Sequence, residues 1–165
     1  MKNTEVKVSE WLQDALPELQ KRVFGPAKLE IPKRLRLNVG MMPGKAGAKN
    51  YLNYCSKILN IIKNKPVSFE VFADDQNKMI EQGQKITKWG KNVYVKVPYI
   101  NSKGHFMGKV IKELNKNKIK LNITAVYTSN QTKKILSKLD KKTKVIISIF
   151  AGRMSDAGKD PIREI

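Results

Sequence analysis

Four short runs rich in β-branched residues, 66–73, 92–98, 120–127 and 144–150, recur along the chain at a nearly constant interval. Their apolar starts, Val67, Val93, Leu121 and Val145, lie 26, 28 and 24 residues apart. A strand, a helix and two loops together take about 30 residues, so the interval is that of successive βαβ units. Amphipathic patterns fill the gaps. Residues 75–90 carry Met79, Ile80 and Ile86, with Asp74 or Asp75 as a cap and Gly90 as a stop. Residues 102–118 carry Phe106, Val110, Ile111 and Leu114, and residues 129–140 carry Ile135, Leu136 and Leu139 behind Ser129 as a cap. Upstream, 48–64 places Tyr51, Leu52, Cys55, Ile58, Leu59 and Ile62 on one helical stripe. Alternating strands and helices predict an α/β chain with a parallel sheet under helices.

An open doubly wound sheet and a (β/α) barrel both satisfy that alternation. The faces of the strands separate them, because side chains alternate between the two sides. One face is aliphatic in every run: Val67, Phe69, Val71; Val93, Val95, Val97; Leu121, Ile123, Ala125; Val145, Ile147, Ile149. The other is mixed: Ser68, Glu70, Phe72; Tyr94, Lys96, Pro98; Asn122, Thr124, Val126; Ile146, Ser148, Phe150. A doubly covered parallel sheet is apolar on both faces. Polar groups at matching depth on four strands instead fit the upper lining of a barrel, where active sites sit. No GxGxxG or GxxxxGK[ST] follows any strand, which removes the usual phosphate cradle of an open nucleotide-binding sheet.

The formal charge is +19, from 33 lysines and arginines against 14 acids. The lysines are spread along the chain rather than gathered in one arm, and many fall where helices end. This reads as a solvated surface in preference to a nucleic-acid footprint, since no zinc-finger spacing, RNP-type aromatic strand or basic GxxG loop accompanies it. The single cysteine, Cys55, rules out an internal disulfide and a cysteine-based zinc cluster, and suits a reducing cytoplasm. No apolar run approaches the roughly 20 residues that cross a bilayer, and the first residues lack the apolar core of a secretory signal.

Lys96 carries the most chemistry. Inside Val93-Tyr94-Val95-Lys96-Val97-Pro98 a buried charge is expensive unless paired or neutralised. Desolvation favours the neutral amine, the form that attacks a carbonyl. Pairing with Glu70 on the next strand, as a purely structural salt bridge, is the equal alternative. Glu70 is the natural acid/base for making and hydrolysing an imine, and Thr124 is placed to help hold a water for it. Asn122 and Ser148 offer neutral hydrogen bonds suited to sugar hydroxyls. Arg153, beside Gly152 after the last strand, suits a phosphate. His105, at an expected helix start, has no second ligand near it and reads as structural.

Taken together, Pro66-Val67-Ser68-Phe69-Glu70-Val71, Asn92-Val93-Tyr94-Val95-Lys96-Val97-Pro98, Leu121-Asn122-Ile123-Thr124-Ala125-Val126-Tyr127 and Ser148-Ile149-Phe150-Ala151-Gly152-Arg153 resemble the transaldolase family in letters, order and spacing. The run from Lys45 to Tyr51 resembles the family's second barrel helix, and the likeness covers about residues 44–162. It implies a partial (β/α)8 barrel of the class I aldolase type. It implies Lys96 as Schiff-base lysine, Glu70 and Thr124 at the catalytic water, and Asn122 and Ser148 on the substrate. Phe150 would line the pocket and Arg153 would bind a sugar phosphate. The implied reaction transfers a dihydroxyacetone unit between sugar phosphates in the pentose phosphate pathway, with no metal or organic cofactor.

Residues 1–43 depart from the family. The first-strand aspartate has no counterpart, and the family's Thr-Thr-Asn-Pro-Ser-like segment is replaced by Leu37-Asn38-Val39-Gly40-Met41. A one-residue offset turns Asn38 to the wrong face for that role. Residues 9–24 read as a helix and 34–39 as an edge strand. Residues 44–165 form the barrel portion; a full barrel takes about 250 residues and eight strands, so about two closing strands are expected to be absent, and the expectation is a poorly stable monomer that self-associates or aggregates through open edges. Two other readings stand beside the enzyme: an inactive barrel with a binding or structural role, and a basic nucleic-acid-binding domain.

Overall fold

The structure is a computed structural model; it describes Leu37–Val39, residues 51–140 and residues 142–164. In chain order the elements are β1 (Leu37–Val39), α1 (Tyr51–Ile61), β2 (Val67–Glu70), α2 (Gln76–Ile86) with a 3-10 turn at Thr87–Trp89, and β3 (Val93–Pro98). There follow α3 (Gly108–Lys116), β4 (Leu121–Val126), α4 (Ser129–Leu136), β5 (Val145–Ile149), α5 (Ala151–Asp156) and α6 (Pro161–Glu164). The expected helix at 9–24 lies outside the described residues. The expected edge strand at 34–39 is present in its last three residues.

The five strands form one sheet in the order β1-β2-β3-β4-β5, every neighbouring pair parallel. The order never reverses. With right-handed crossovers, a sheet wound in one direction places all its helices on the same face. A doubly wound sheet reverses its order and covers both. The chain is therefore a partial (β/α) barrel, with helices outside and the mixed strand face turned inward.

The aliphatic face forms the core. Val67, Phe69, Val95, Val97, Leu121 and Ile123 are fully buried, under Cys55 and Ile58 of α1, Met79 and Ile86 of α2, and Val110, Ile111 and Leu114 of α3. Burying each such side chain contributes about 1.5–3 kcal/mol. Strand β5 is only half-buried along its length, because it stands at one edge of the described sheet.

Hydrogen bonds on the inner face indicate its curvature. The Asn122 amide of β4 donates to Ser68 Oγ of β2 at 3.0 Å, reaching across β3. In a flat sheet, strands two apart lie ~9–10 Å from each other with parallel side chains. The 3.0 Å contact requires the sheet to close toward this face, as side chains of alternate strands do inside a barrel.

Three local expectations are corrected. The helix expected from residue 102 begins at Gly108. Residues before it form a small hairpin in which Ile100 bridges Phe106 and Gly104 adopts a positive φ of 77°. His105 therefore lies exposed in a loop, not at a helix start. Helix α4 is capped by Thr128, not Ser129: the Thr128 hydroxyl accepts from Gln131 N, and the Gln131 side chain returns to the Thr128 N–H.

Candidate active site

Parallel register brings the charged pair together. Glu70 is the Cα partner of Lys96, and Lys96 is the partner of Asn122, so three adjacent strands present these side chains at one depth. Lys96 Nζ lies 3.5 Å from Glu70 Oε2, with the side chains 15% and 14% exposed. Both sit at the carboxyl ends of their strands, largely out of water yet reachable from the mouth of the lining. The salt bridge expected as one alternative exists, and it puts a carboxylate within proton-transfer reach of the amine.

A hydrogen-bonded string runs across the inner face beside this pair. Ser148 Oγ donates to Asn122 Oδ1 at 2.8 Å, and Asn122 Nδ2 donates to Ser68 Oγ at 3.0 Å. Asn122 and Ser68 are fully buried. Ser68 escaped the sequence reading as a site residue. Its signal was its place two residues before Glu70, on the same face.

Thr124 is buried on that face one pleat further toward the mouth, as the partner of Pro98. Beside it the ladder with β5 shifts register between Ile123 and Val126, and Ala125 adopts a left-handed φ of 59°. This is a β-bulge, and bulges re-aim neighbouring side chains next to active sites. The loop after Glu70 is held by Gln82 of α2, whose Oε1 accepts from Phe72 N and Ala73 N at 2.8 and 3.0 Å. Asp74 fastens that loop to the one after β3 by accepting from Ser102 N and Oγ at 2.7 and 2.8 Å. The Ser102 backbone bond, then its hydroxyl, hold the Asp74 carboxyl below its ordinary range.

Phe150 and Arg153 stand past the end of β5. The Phe150 ring meets Tyr127 edge-on at 5.7 Å, and the Arg153 guanidinium lies 5.7 Å from the Phe150 centroid. Gly152 and Arg153 belong to the first turn of α5. Arg153 lines a cavity of about 190 Å³ with Tyr127, Thr128, Met154, Ala157 and Lys159. Lys96 and Glu70 are outside that cavity. Lys159 was missed in the sequence, where it follows a glycine after a short helix with nothing to set it apart. Among the described residues no group of three or more His, Cys, Asp or Glu side chains is placed to hold a metal ion, and no helix is long and apolar enough to cross a membrane.

The chain is similar to known proteins over most of its length. A probable transaldolase of Dehalococcoides mccartyi is 31% identical over 138 residues, covering 79% of this chain and 60% of that protein. Probable transaldolases of Leptospira biflexa and Brevibacillus brevis are 36% and 32% identical, over 73% and 71% of this chain and 52% and 50% of theirs. The chain thus spans about half the length of the curated relatives it matches. Residues 36–164 match the family described as Transaldolase/Fructose-6-phosphate aldolase, a stretch that begins upstream of residue 44 and takes in β1. With that match over most of its length, and a one-way parallel sheet carrying the lysine, this chain belongs to the transaldolase/fructose-6-phosphate aldolase family.

Proposed function

We propose that this chain carries the imine-forming half of a transaldolase-type site, acting on sugar phosphates. The observation that carries the reading is the Lys96–Glu70 pair, 3.5 Å apart at the carboxyl end of the inner face. Lys96 gives up a proton, with Glu70 as the adjacent acceptor, and the free amine attacks a ketone carbonyl to form a carbinolamine. Loss of water leaves the protonated imine. Glu70, ionised again once that water has left, takes the proton of the β-hydroxyl as the bond between the α and β carbons breaks, its electron pair passing to the imine as an enamine and the aldehyde leaving. Addition of the enamine to an acceptor aldehyde reforms a C–C bond, and hydrolysis returns the amine. A three-carbon dihydroxyacetone unit is thereby moved from a ketose phosphate to an aldose phosphate.

Thr124 and Glu70 hold the hydrolytic water, and Asn122 and Ser148 meet substrate hydroxyls. Phe150 lines the apolar wall, and Arg153 takes the phosphate, with Lys159 as a second cation at the same cavity. The single buried thiol is in keeping with a reducing cytoplasm.

Incubation with fructose 6-phosphate or dihydroxyacetone, followed by borohydride reduction and peptide mapping, tests this. The adduct is expected on Lys96, lost in Lys96→Ala and retained in Lys112→Ala. Equal labelling of many lysines would mean unspecific amine chemistry. A second reading, a purely structural ion pair in an inactive barrel, is favoured by Lys96 and Glu70 already satisfying each other's charge. Absence of any adduct supports it.

A further inference from the structure

Strand β5 meets its neighbour unevenly. Val145, Ile146 and Ile147 pair with Leu121, Asn122 and Ile123, and Ile149 pairs with Val126, so that Ser148 falls in the gap the β4 bulge opens between those pairs. The strand is also only half-buried, at one edge of the described sheet. A bulge disrupts the ladder locally. Backbone pairing therefore fixes Ser148 less closely than it fixes Glu70 or Lys96, which lie in regular register.

A side-chain bond holds the Ser148 hydroxyl instead. It donates to Asn122 Oδ1 at 2.8 Å, and Asn122 is bonded in turn through Nδ2 to Ser68 Oγ at 3.0 Å. Ser68 is 0% exposed, in the regular part of the ladder as the partner of Tyr94. A hydroxyl costs desolvation at a fully buried position where an aliphatic side chain would pack without that cost. Tying strands together does not explain it, because β2 and β4 are each already laddered to β3. The string runs from a sealed anchor to a hydroxyl that is only half-buried, and Asn122, midway along it, is the register partner of Lys96.

We propose that Ser68 is a positioning residue which, through Asn122, fixes the Ser148 hydroxyl to meet a hydroxyl on the carbon beside the substrate's carbonyl. This role rests on the imine chemistry at Lys96, and it narrows the substrate class to ketones that carry an α-hydroxyl. Ser68 is sealed from solvent and acts only at one remove. A group held in place beforehand loses little freedom when a ligand binds, so its hydrogen bond contributes more than that of a mobile one. A ketone without the α-hydroxyl gains nothing from the string.

The test is the rate of borohydride-trapped adduct formation on Lys96 of the full chain, mapped by mass spectrometry, with hydroxyacetone and with acetone, which differ by that one hydroxyl. Ser68→Ala should lower the hydroxyacetone-to-acetone ratio by about tenfold, the effect of one well-placed hydrogen bond, with the loss falling on hydroxyacetone. Ser68→Cys, close to serine in size and a weak acceptor, should give the same fall and serves where the alanine variant is unfolded by circular dichroism. Asn122→Ala and Ser68→Ala/Asn122→Ala should share one ratio, since Ser68 acts through Asn122. An unchanged ratio in the Ser68 variants, including equal slowing with both ketones, marks a structural role and overturns the proposal. So does a further fall in the double variant. With adduct still formed on Lys96, those outcomes leave the imine chemistry standing. No adduct from hydroxyacetone in the parent would remove the imine chemistry and this role with it.

Discussion

Lys96 sits beside Glu70 because parallel register makes them Cα partners, and that single pairing decides what the inner face can do. A carboxylate adjacent to the amine contributes about 10²–10⁴-fold when it relays protons. We therefore expect Glu70→Gln to slow borohydride-trapped adduct formation by about 10²-fold or more while leaving the circular dichroism spectrum unchanged. An unaltered trapping rate would remove Glu70 from the chemistry. Ala125 presents a different case, since its φ of 59° places a Cβ where glycine is favoured. The left-handed conformation costs a non-glycine residue about 1–2 kcal/mol, part of it returned by the freer unfolded glycine. Ala125→Gly is expected to stabilise by up to about 1 kcal/mol, read as a raised urea midpoint with an unchanged slope. At this scale the sequence was informative about identity and poor on use: a lysine inside a valine run announces itself, but nothing in the letters shows that Asn122 would be drawn into a bond with Ser68.

Strands were readable because two-residue alternation must place Val67, Phe69 and Val71 together whatever the fold. Helix starts were less readable, and α3 shows why. Phe106 matches the apolar stripe of Val110 and Leu114, yet Asn101 Oδ1 accepts from Lys103 N and His105 N. Local side-chain bonds of this kind compete with helix formation, so residues 99–107 turn back instead. The bulge in β4 was invisible for a similar reason, since alanine carries no mark of a positive φ. The α2–α3 contact turns on Gly83, where an added Cβ would lie 2.8 and 2.9 Å from the Leu114 methyls. Helix propensity favours replacing a helical glycine by about 1 kcal/mol at most, whereas overpacking costs about 1–3 kcal/mol. Gly83→Val, with its extra bulk, is expected to destabilise by about 2 kcal/mol in urea denaturation, and a stabilised variant would show that the two helices can separate freely.

At the scale of the whole molecule, one carboxylate carries an expected dependence on pH. Lys118, bonded to its side chain, holds the Asp140 carboxyl down to about 2, with the Thr143 and Lys142 N–H groups adding to the effect. A carboxylate with a depressed folded pKa stabilises fully above its unfolded value of ~3.9 and loses that contribution as pH falls toward 2. Melting temperature should fall between pH 4 and 2, and Asp140→Asn should start lower at pH 7 and fall less across that window. A parallel decline in both would place the acid sensitivity elsewhere. The strands all run in one direction, each beside its neighbour in the chain. That same one-way winding sets how the chain assembles. Leu37 with Val67, Val67 with Val93, Val95 with Leu121 and Leu121 with Val145 each close a span of 24–30 residues. Closure entropy depends only on the logarithm of span, so each step meets nearly the same barrier and no strand waits for a remote partner. A ribosome releasing this chain delivers each strand from β2 to β5 to an edge that is already waiting for it.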